Sequence, residues 1–284
     1  MPKAVDPSLN RRKLRIALKK ARDAAGLTQR QAADNLEWSL SKIIRIEAGT
    51  VSLSVTDLRA MLQEYGVTDS DTVSDLEEAA RGSKGQSWWV SYSDIINPQF
   101  AQYLGYESAA STVRAYHPSL VPGLLQTSDY IHALFAAGAP VSQAGRNVDL
   151  RTDRQDRIFA EDGAAAAFIV DEAAVRRWIG GSSVMKQQLR LILSRMDEPR
   201  VSVRLLPFRA GAHTSLESSF VLLGFPDDED VLYVSGPGGV LTNRDNRELV
   251  ARYQECFEDL HSKALTEDET RALLNDLIEQ YTTA

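Results

Sequence analysis

In the first third of the chain the apolar residues recur every three or four positions, interrupted by short polar turns. That is the spacing of amphipathic helices. Leu14, Leu18, Ala21 and Ala25 fall on one stripe and predict a helix over Asn10–Ala25. Gly26 stops it, because glycine tolerates the left-handed conformation at a helix end. Thr28, with Gln31 three residues on, reads as a capping box opening a short helix, Thr28–Leu36. Ala32 and Ala33 are small enough for a second helix to cross closely. Ser39 is the N-cap of that second helix, Ser39–Ala48, which Gly49 ends. Ile43 and Ile46, three apart, share its inward face. Leu40, Ser41, Ile44 and Arg45 fall on another face. Ser54 caps a further helix through Leu58, Met61 and Leu62 to Tyr65 and Gly66, and Thr68 or Ser70 opens the next, Asp71–Arg81.

Beyond residue 87 strands join the pattern. Helices are predicted at Pro98–Gly105, from Thr127 or Ser128 to Ala137, at Asn147–Ala160, at Glu172–Ile179 behind Asp171, and from Ser182 or Ser183 to Met196. Apolar or alternating runs predict strands at Ser111–Tyr116, Ala165–Val170 and Val201–Leu205, a hairpin of Ser219–Phe225 with Val231–Val234, and a strand at Val240–Thr242. Asn243 or Asp245 opens a long helix to Ala264. Thr266 with Glu269 forms a second capping box, before a last helix reaching Tyr281. The expected fold is an N-terminal all-α helix-turn-helix domain of about five helices plus a C-terminal α+β domain with a mixed sheet. Residues 1–8 read as a flexible arm, 9–81 as the helical domain, 82–87 (GSKGQS) as a linker, and 88–284 as the α+β domain.

The overall charge of −7 argues against a nucleic-acid partner until it is divided. Residues 1–66 carry 12 lysines and arginines against 7 acidic residues, net +5; residues 67–284 carry 20 against 32, net −12, and the two account for the −7. A basic head on an acidic body suits a head that meets phosphates while the body is repelled from the duplex. The one cysteine, Cys256, excludes an internal disulfide and any Cys-x-x-Cys zinc pair, so a reducing cytoplasmic setting is expected. No apolar run is long enough to span a membrane.

Candidate chemistry in the body is sparse. The histidines, His117, His132, His213 and His261, have no metal-ligand spacing, so neither a metal nor a cofactor is expected. His213 lies in a Gly/Ser-rich loop after a strand, where sites often sit, although a loop histidine bonded to the backbone is the plainer reading. Ser215, Ser218 and Ser219 lack a nucleophile elbow. Gly236–Gly239 is a turn rather than a phosphate loop. No nucleophile, base and metal converge, so an enzyme is not expected. Arg151, Arg154 and Arg157 lie three apart on one helix and could bind an anion or an acidic partner, although pairing with neighbours such as Asp153 and Asp156 is the simpler outcome. Trp88, Trp89, Tyr92 and Trp178 could line a ligand pocket, with core packing the alternative.

Leu14, Arg15, Ala25–Gln29, Ala32, Leu36, Ser41–Ile43, Arg45–Glu47, Gly49 and Leu58–Gly66 together resemble the phage-repressor-like (XRE-type) helix-turn-helix regulators. The resemblance implies a double-stranded DNA operator. It assigns Gln29 and Arg30 to the first motif helix, with Gln29 on a phosphate. Ser39, Leu40, Ser41, Lys42 and Arg45 fall on the recognition helix, with Arg45 able to reach guanine O6 and N7. Arg22 and Glu47 would form a buried structural ion pair. Ala48 departs from the pattern, where many relatives carry Asn. In the body, W88-W89-x-x-Y92, Val113–Tyr130, Arg154–Phe159, Phe168–Arg177, Met185–Leu189, Val203–His213 and Phe220–Phe225 resemble a C-terminal domain of poorly defined function found in actinobacterial, antitoxin-like regulators. That resemblance implies a role in sensing a small-molecule effector or a protein signal; because one recognition helix covers few base pairs, a homodimer on a two-fold operator is expected. Its alternative is an antitoxin-like protein that binds a small acidic partner. Trp88, Trp89, Tyr92, His213 and Arg154 are the candidate ligand or partner residues. The expected location is cytoplasmic, on the nucleoid when DNA is bound.

Overall fold

The computed structural model describes residues 7–47, 51–136, 141–226, 228–235, 240–241 and 246–283. The chain divides into two units, Met1–Ser91 and Tyr92–Ala284. The sequence-based readings at Ala48, Gly49, Gly236–Gly239, Asn243 and Asp245, and most of the expected arm, lie outside the described residues.

The first unit is helical: α1 (Pro7–Ala24), α2 (Gln29–Asn35), α3 (Leu40–Glu47), α4 (Val55–Glu64) and α5 (Ser70–Gly82). Helix α1 starts at Pro7, inside the expected arm; proline suits a first helical turn, where its missing N–H is not needed. Gly26 follows α1 with φ +71°, the left-handed conformation expected there. The capping box forms: the Gln31 N–H donates to Thr28 Oγ1, and the Thr28 N–H donates to Gln31 Oε1. The N-cap of α5 is Asp69, between the two candidates, and its carboxylate accepts the Thr72 N–H at 2.8 Å. Leu14, Leu18, Ala32, Ala33, Ile43, Ile46, Leu58, Met61, Leu62 and Leu76 make one buried core.

The expected linker begins inside this unit. Gly82 is the last residue of α5, Ser83 is fully buried, and Arg11 donates to the Ser83 and Gly85 carbonyls at 3.1 and 3.0 Å. The division therefore falls after Ser91, within a 3-10 turn, Trp88–Tyr92.

The second unit runs α6 (Pro98–Ala109), β1 (Thr112–His117), α7 (Ser128–Ala136), α8 (Val141–Ile158), β2 (Ala165–Asp171), α9 (Glu172–Arg176), α10 (Ser182–Arg195), β3 (Val201–Leu206), β4 (Ser219–Phe225), β5 (Asp228–Ser235), β6 (Val240–Leu241), α11 (Arg247–Lys263) and α12 (Glu267–Thr283). The strands form one six-stranded mixed sheet in the order β3-β2-β1-β4-β5-β6. The pairs β1–β2 and β2–β3 are parallel, with helices in each crossover; β4, β5 and β6 continue antiparallel. On one face Tyr116, Ile169, Leu206, Phe220, Leu222 and Leu232 pack against Val250, Phe257 and Leu260 of α11. The outer strand β3 is not left open: the Leu265 N–H donates to the Leu205 carbonyl, and Thr270 Oγ1 accepts the Leu205 N–H.

Candidate nucleic-acid interface

Helix α3 is amphipathic at close range. Ile43 and Ile46 are buried in the helical core, and Glu47 is buried beside them. Ser39, Ser41, Ile44 and Arg45 are exposed, Leu40 is half-buried, and Arg30 is exposed at the start of α2. The turn between α2 and α3 is sharp because Glu37 adopts φ +55°, uncommon for a side chain with a Cβ. Ser39 Oγ then accepts the Lys42 N–H at 3.3 Å and caps α3.

A buried charge cluster fixes α3 to α1. Arg22 donates from Nε and Nη2 to the two Glu47 oxygens, at 2.7 and 3.0 Å, and from Nη1 to the Leu27 carbonyl. The hydrogen bond to Glu47 raises the Arg22 pKa against the opposing effect of burial. Close by, burial and the Glu47 charge push the Tyr65 hydroxyl up to about 12. The Gln29 amide also donates to Glu47, at 2.9 Å, so the side chain expected on a phosphate is engaged inside the unit.

Lys42 is engaged too. Its Nζ lies 2.9 Å from Asp57 on α4 and 3.4 Å from the centre of the Trp38 ring. The basic residues of α1 are similarly divided. Arg12 is buried, Lys13 pairs with Asp75, and Lys19 and Lys20 are exposed. The Lys42 anchor was missed in the sequence because Asp57 stands fifteen residues away, beyond the reach of helical spacing.

The candidate residues expected in the α+β domain separate. Trp88 and Trp89 meet edge to face in the first unit, 5.8 Å between ring centres. Tyr92 begins the second unit and donates to Asp153 at 2.8 Å. Trp178 is 54% exposed and stands edge-on to Tyr281. Arg154 is not paired with Asp153 or Asp156, the simple expectation. It makes a buried two-bond contact with Glu107 on α6, both bonds 2.8 Å, and lies over Phe100 and Tyr103. Burial opposes the Arg154 charge, but Glu107 and Tyr103 outweigh it and raise its pKa. His213 Nε2 lies 3.2 Å from the Tyr116 hydroxyl, and its Nδ1 accepts the Ser215 N–H at 3.3 Å, a backbone bond as the plainer reading had it. Burial lowers the His213 pKa. Ser215 Oγ and Thr214 Oγ1 lie 3.1 and 2.9 Å from Cys256 Sγ.

Two families account for most of the sequence. Residues 13–81 match a helix-turn-helix domain, the segment whose capped helices and buried ion pair are described above. Residues 100–276, more than half of the chain, match a domain of unknown function, DUF5753. The chain belongs to the DUF5753 family. Its helix-turn-helix domain suggests a DNA-binding regulator, whereas the DUF5753 domain carries no assigned activity. No curated protein and no solved structure matches the chain. Among the described residues of this DUF5753 chain, no helix is long and apolar enough to cross a membrane, and no three His, Cys, Asp or Glu side chains are grouped to hold a metal ion.

Proposed function

We propose that the chain is a sequence-specific transcriptional regulator that inserts α3 into the major groove of an operator. One observation carries the reading: a short capped helix is fixed from behind by Ile43, Ile46 and Glu47 and presents Ser41 and Arg45 outward, with Arg30 exposed at the start of the preceding helix. A helix-turn-helix reads base edges from the start of its second helix, and arginine pairs in two-bond fashion with guanine. Ser39, Ser41 and Arg45 are the base-facing set. Arg30 is placed for a phosphate, and Gln29 and Lys42 serve DNA only by leaving or sharing their present partners. The DUF5753 domain dimerises the chain and receives a small-molecule or protein signal. The site of action is the chromosome, in the cytoplasm.

The test is selection of bound duplexes from a random pool by the full chain and by Arg45→Ala. The variant is expected to lose discrimination at one base position, a cost of roughly 1–3 kcal/mol, while keeping the remainder of the motif. An unchanged base profile removes Arg45 from the reading. No selected motif with the parent chain removes sequence-specific binding altogether.

A further inference from the structure

We propose that Arg151 anchors a binding site for a small monoanion, a carboxylate or a phosphate, beside the loop that leaves the carboxyl end of β1. The local charges do not balance. Arg151 and Arg154 stand three residues apart on α8, on one face. Both oxygens of the buried carboxylate Glu107 are taken by Arg154, and one of them also accepts the Tyr103 hydroxyl. Among the described residues Arg151 pairs with no carboxylate. Its guanidinium carbon stands 5.2 Å from the centre of the Phe135 ring on α7, and its buried Nη1 has no hydrogen-bond partner among them.

The groups around it do not supply the missing charge. Tyr130 is fully buried; its oxygen accepts the Val121 N–H at 3.3 Å, and burial raises its pKa, so it is a neutral phenol at neutral pH. Both Arg151 and Arg177 act on that phenol, which adds a further cation. His117, at the end of β1, is held neutral by burial and by the charge of Arg154. Burial, then the charge of Arg154, lowers Arg151 to about 10, which still leaves it cationic at neutral pH.

An unpaired charge taken out of water is costly, and folded proteins ordinarily pair it. One unpaired guanidinium, half-buried with its Nη1 fully enclosed, calls for one negative charge. A planar guanidinium matches a carboxylate or phosphate edge with two parallel hydrogen bonds. The loop after β1 approaches with bare backbone: a Cβ on Gly123 would stand 3.5 Å from Arg154 Nη1 and 3.8 Å from Arg151 Nε. In open sheets with parallel strands, ligands gather at the carboxyl ends of those strands. The buried Nη1 suits a small ion that enters the fold rather than a protein surface that covers it.

The site deepens the sensing role proposed above and rests on it only for its purpose, because anion binding is measured without DNA. The experiment is thermal unfolding of the full chain at constant ionic strength, with chloride replaced stepwise by acetate in one series and by inorganic phosphate in another. Arg151→Met keeps the apolar stem and removes the charge, and Arg151→Lys keeps the charge and removes the planar fork. The parent chain is expected to show a saturable rise in melting temperature with at least one anion, as any ligand of the folded state gives. The series that responds identifies the ligand chemistry. Arg151→Met is expected to melt no lower than the parent in chloride and to lose the anion-dependent rise. Arg151→Lys is expected to need about tenfold more anion for the same rise. The absence of a saturable rise in the parent overturns the proposal, as does an equal rise in Arg151→Met. Should Arg151→Met fail to fold, an anion response in Arg151→Lys identical to that of the parent overturns it.

Discussion

His117 shows how one half-buried side chain couples the DUF5753 domain to pH. Burial, reinforced by the positive charge of Arg154, lowers its pKa from 6.5 to about 4. The unfolded chain therefore takes up a proton near pH 6.5 while the folded chain stays neutral. Stability is lost as pH falls through that window and, for this group, no further below about 4. His117→Gln removes the titration and leaves a polar side chain in place. The parent is expected to lose on the order of 2 kcal/mol relative to this variant between pH 7.5 and pH 4. Urea unfolding of both proteins across that range checks it, and parallel pH profiles would show that the ring gains a proton without cost. Residue-scale features were legible in the sequence where partners are close along the chain. The Thr28–Gln31 and Thr266–Glu269 capping boxes both form, since each needs only a three-residue spacing. The partner of Arg154 was not legible. Helical spacing offered Asp153 and Asp156 as neighbours, but the packing of α6 against α8 brings Glu107 from 47 residues away.

Among the elements, α2 and α3 were the most legible because local signals agree: caps, small residues at the crossing, and isoleucines at helical spacing. Helix α8 was less so. It begins at Val141, six residues before the reading from Asn147, across a stretch holding Gly145 that periodicity treats as loop. What local signals also could not provide is how α3 is held at its outer edge. Lys42 is drawn back to α4 by Asp57 and sits over Trp38. Asp57 thus both tethers α3 and neutralises a cation on the face proposed to meet DNA. Asp57→Asn is expected to release Lys42 to a phosphate while the Asp57 N–H keeps its bond to Ser54 Oγ. One more phosphate contact should steepen the dependence of log affinity on log salt by about 0.9, with tighter binding at low salt. Fluorescence anisotropy on a duplex of arbitrary sequence at several salt concentrations measures that slope. An unchanged slope would mean that Lys42 stays off the duplex even when released.

At the level of the whole molecule, the charge division is a feature of sequence and needs no coordinates: +5 over residues 1–66 and −12 over the remainder. The division between units was legible only approximately. The Gly- and Ser-rich composition of 82–87 reads as a linker, yet Arg11 ties the Ser83 and Gly85 carbonyls to the helical unit. The sheet order was not legible, because helical crossovers permit several strand orders and only packing selects β3-β2-β1-β4-β5-β6. The charge division bears directly on the proposed binding to DNA. A single α3 of eight residues spans few base pairs, and the acidic body adds repulsion from the duplex rather than affinity. Tight binding therefore calls for two heads on one operator, which is the task proposed for the DUF5753 domain. Two heads related by a two-fold axis meet the same face of the duplex only if the half-site centres lie about 10 base pairs apart, or a multiple of that. Adding about 5 base pairs between the half-sites selected by the parent chain turns one of them to the opposite face. The second head then binds alone or not at all, and the advantage of joining the two, on the order of 10²- to 10⁴-fold, is lost. Restoring a full turn with about 10 added base pairs should recover much of it. Affinities measured on the three spacings decide the matter: a periodic response supports the two-headed arrangement, and equal affinities at all three show that the chain binds its operator one copy at a time.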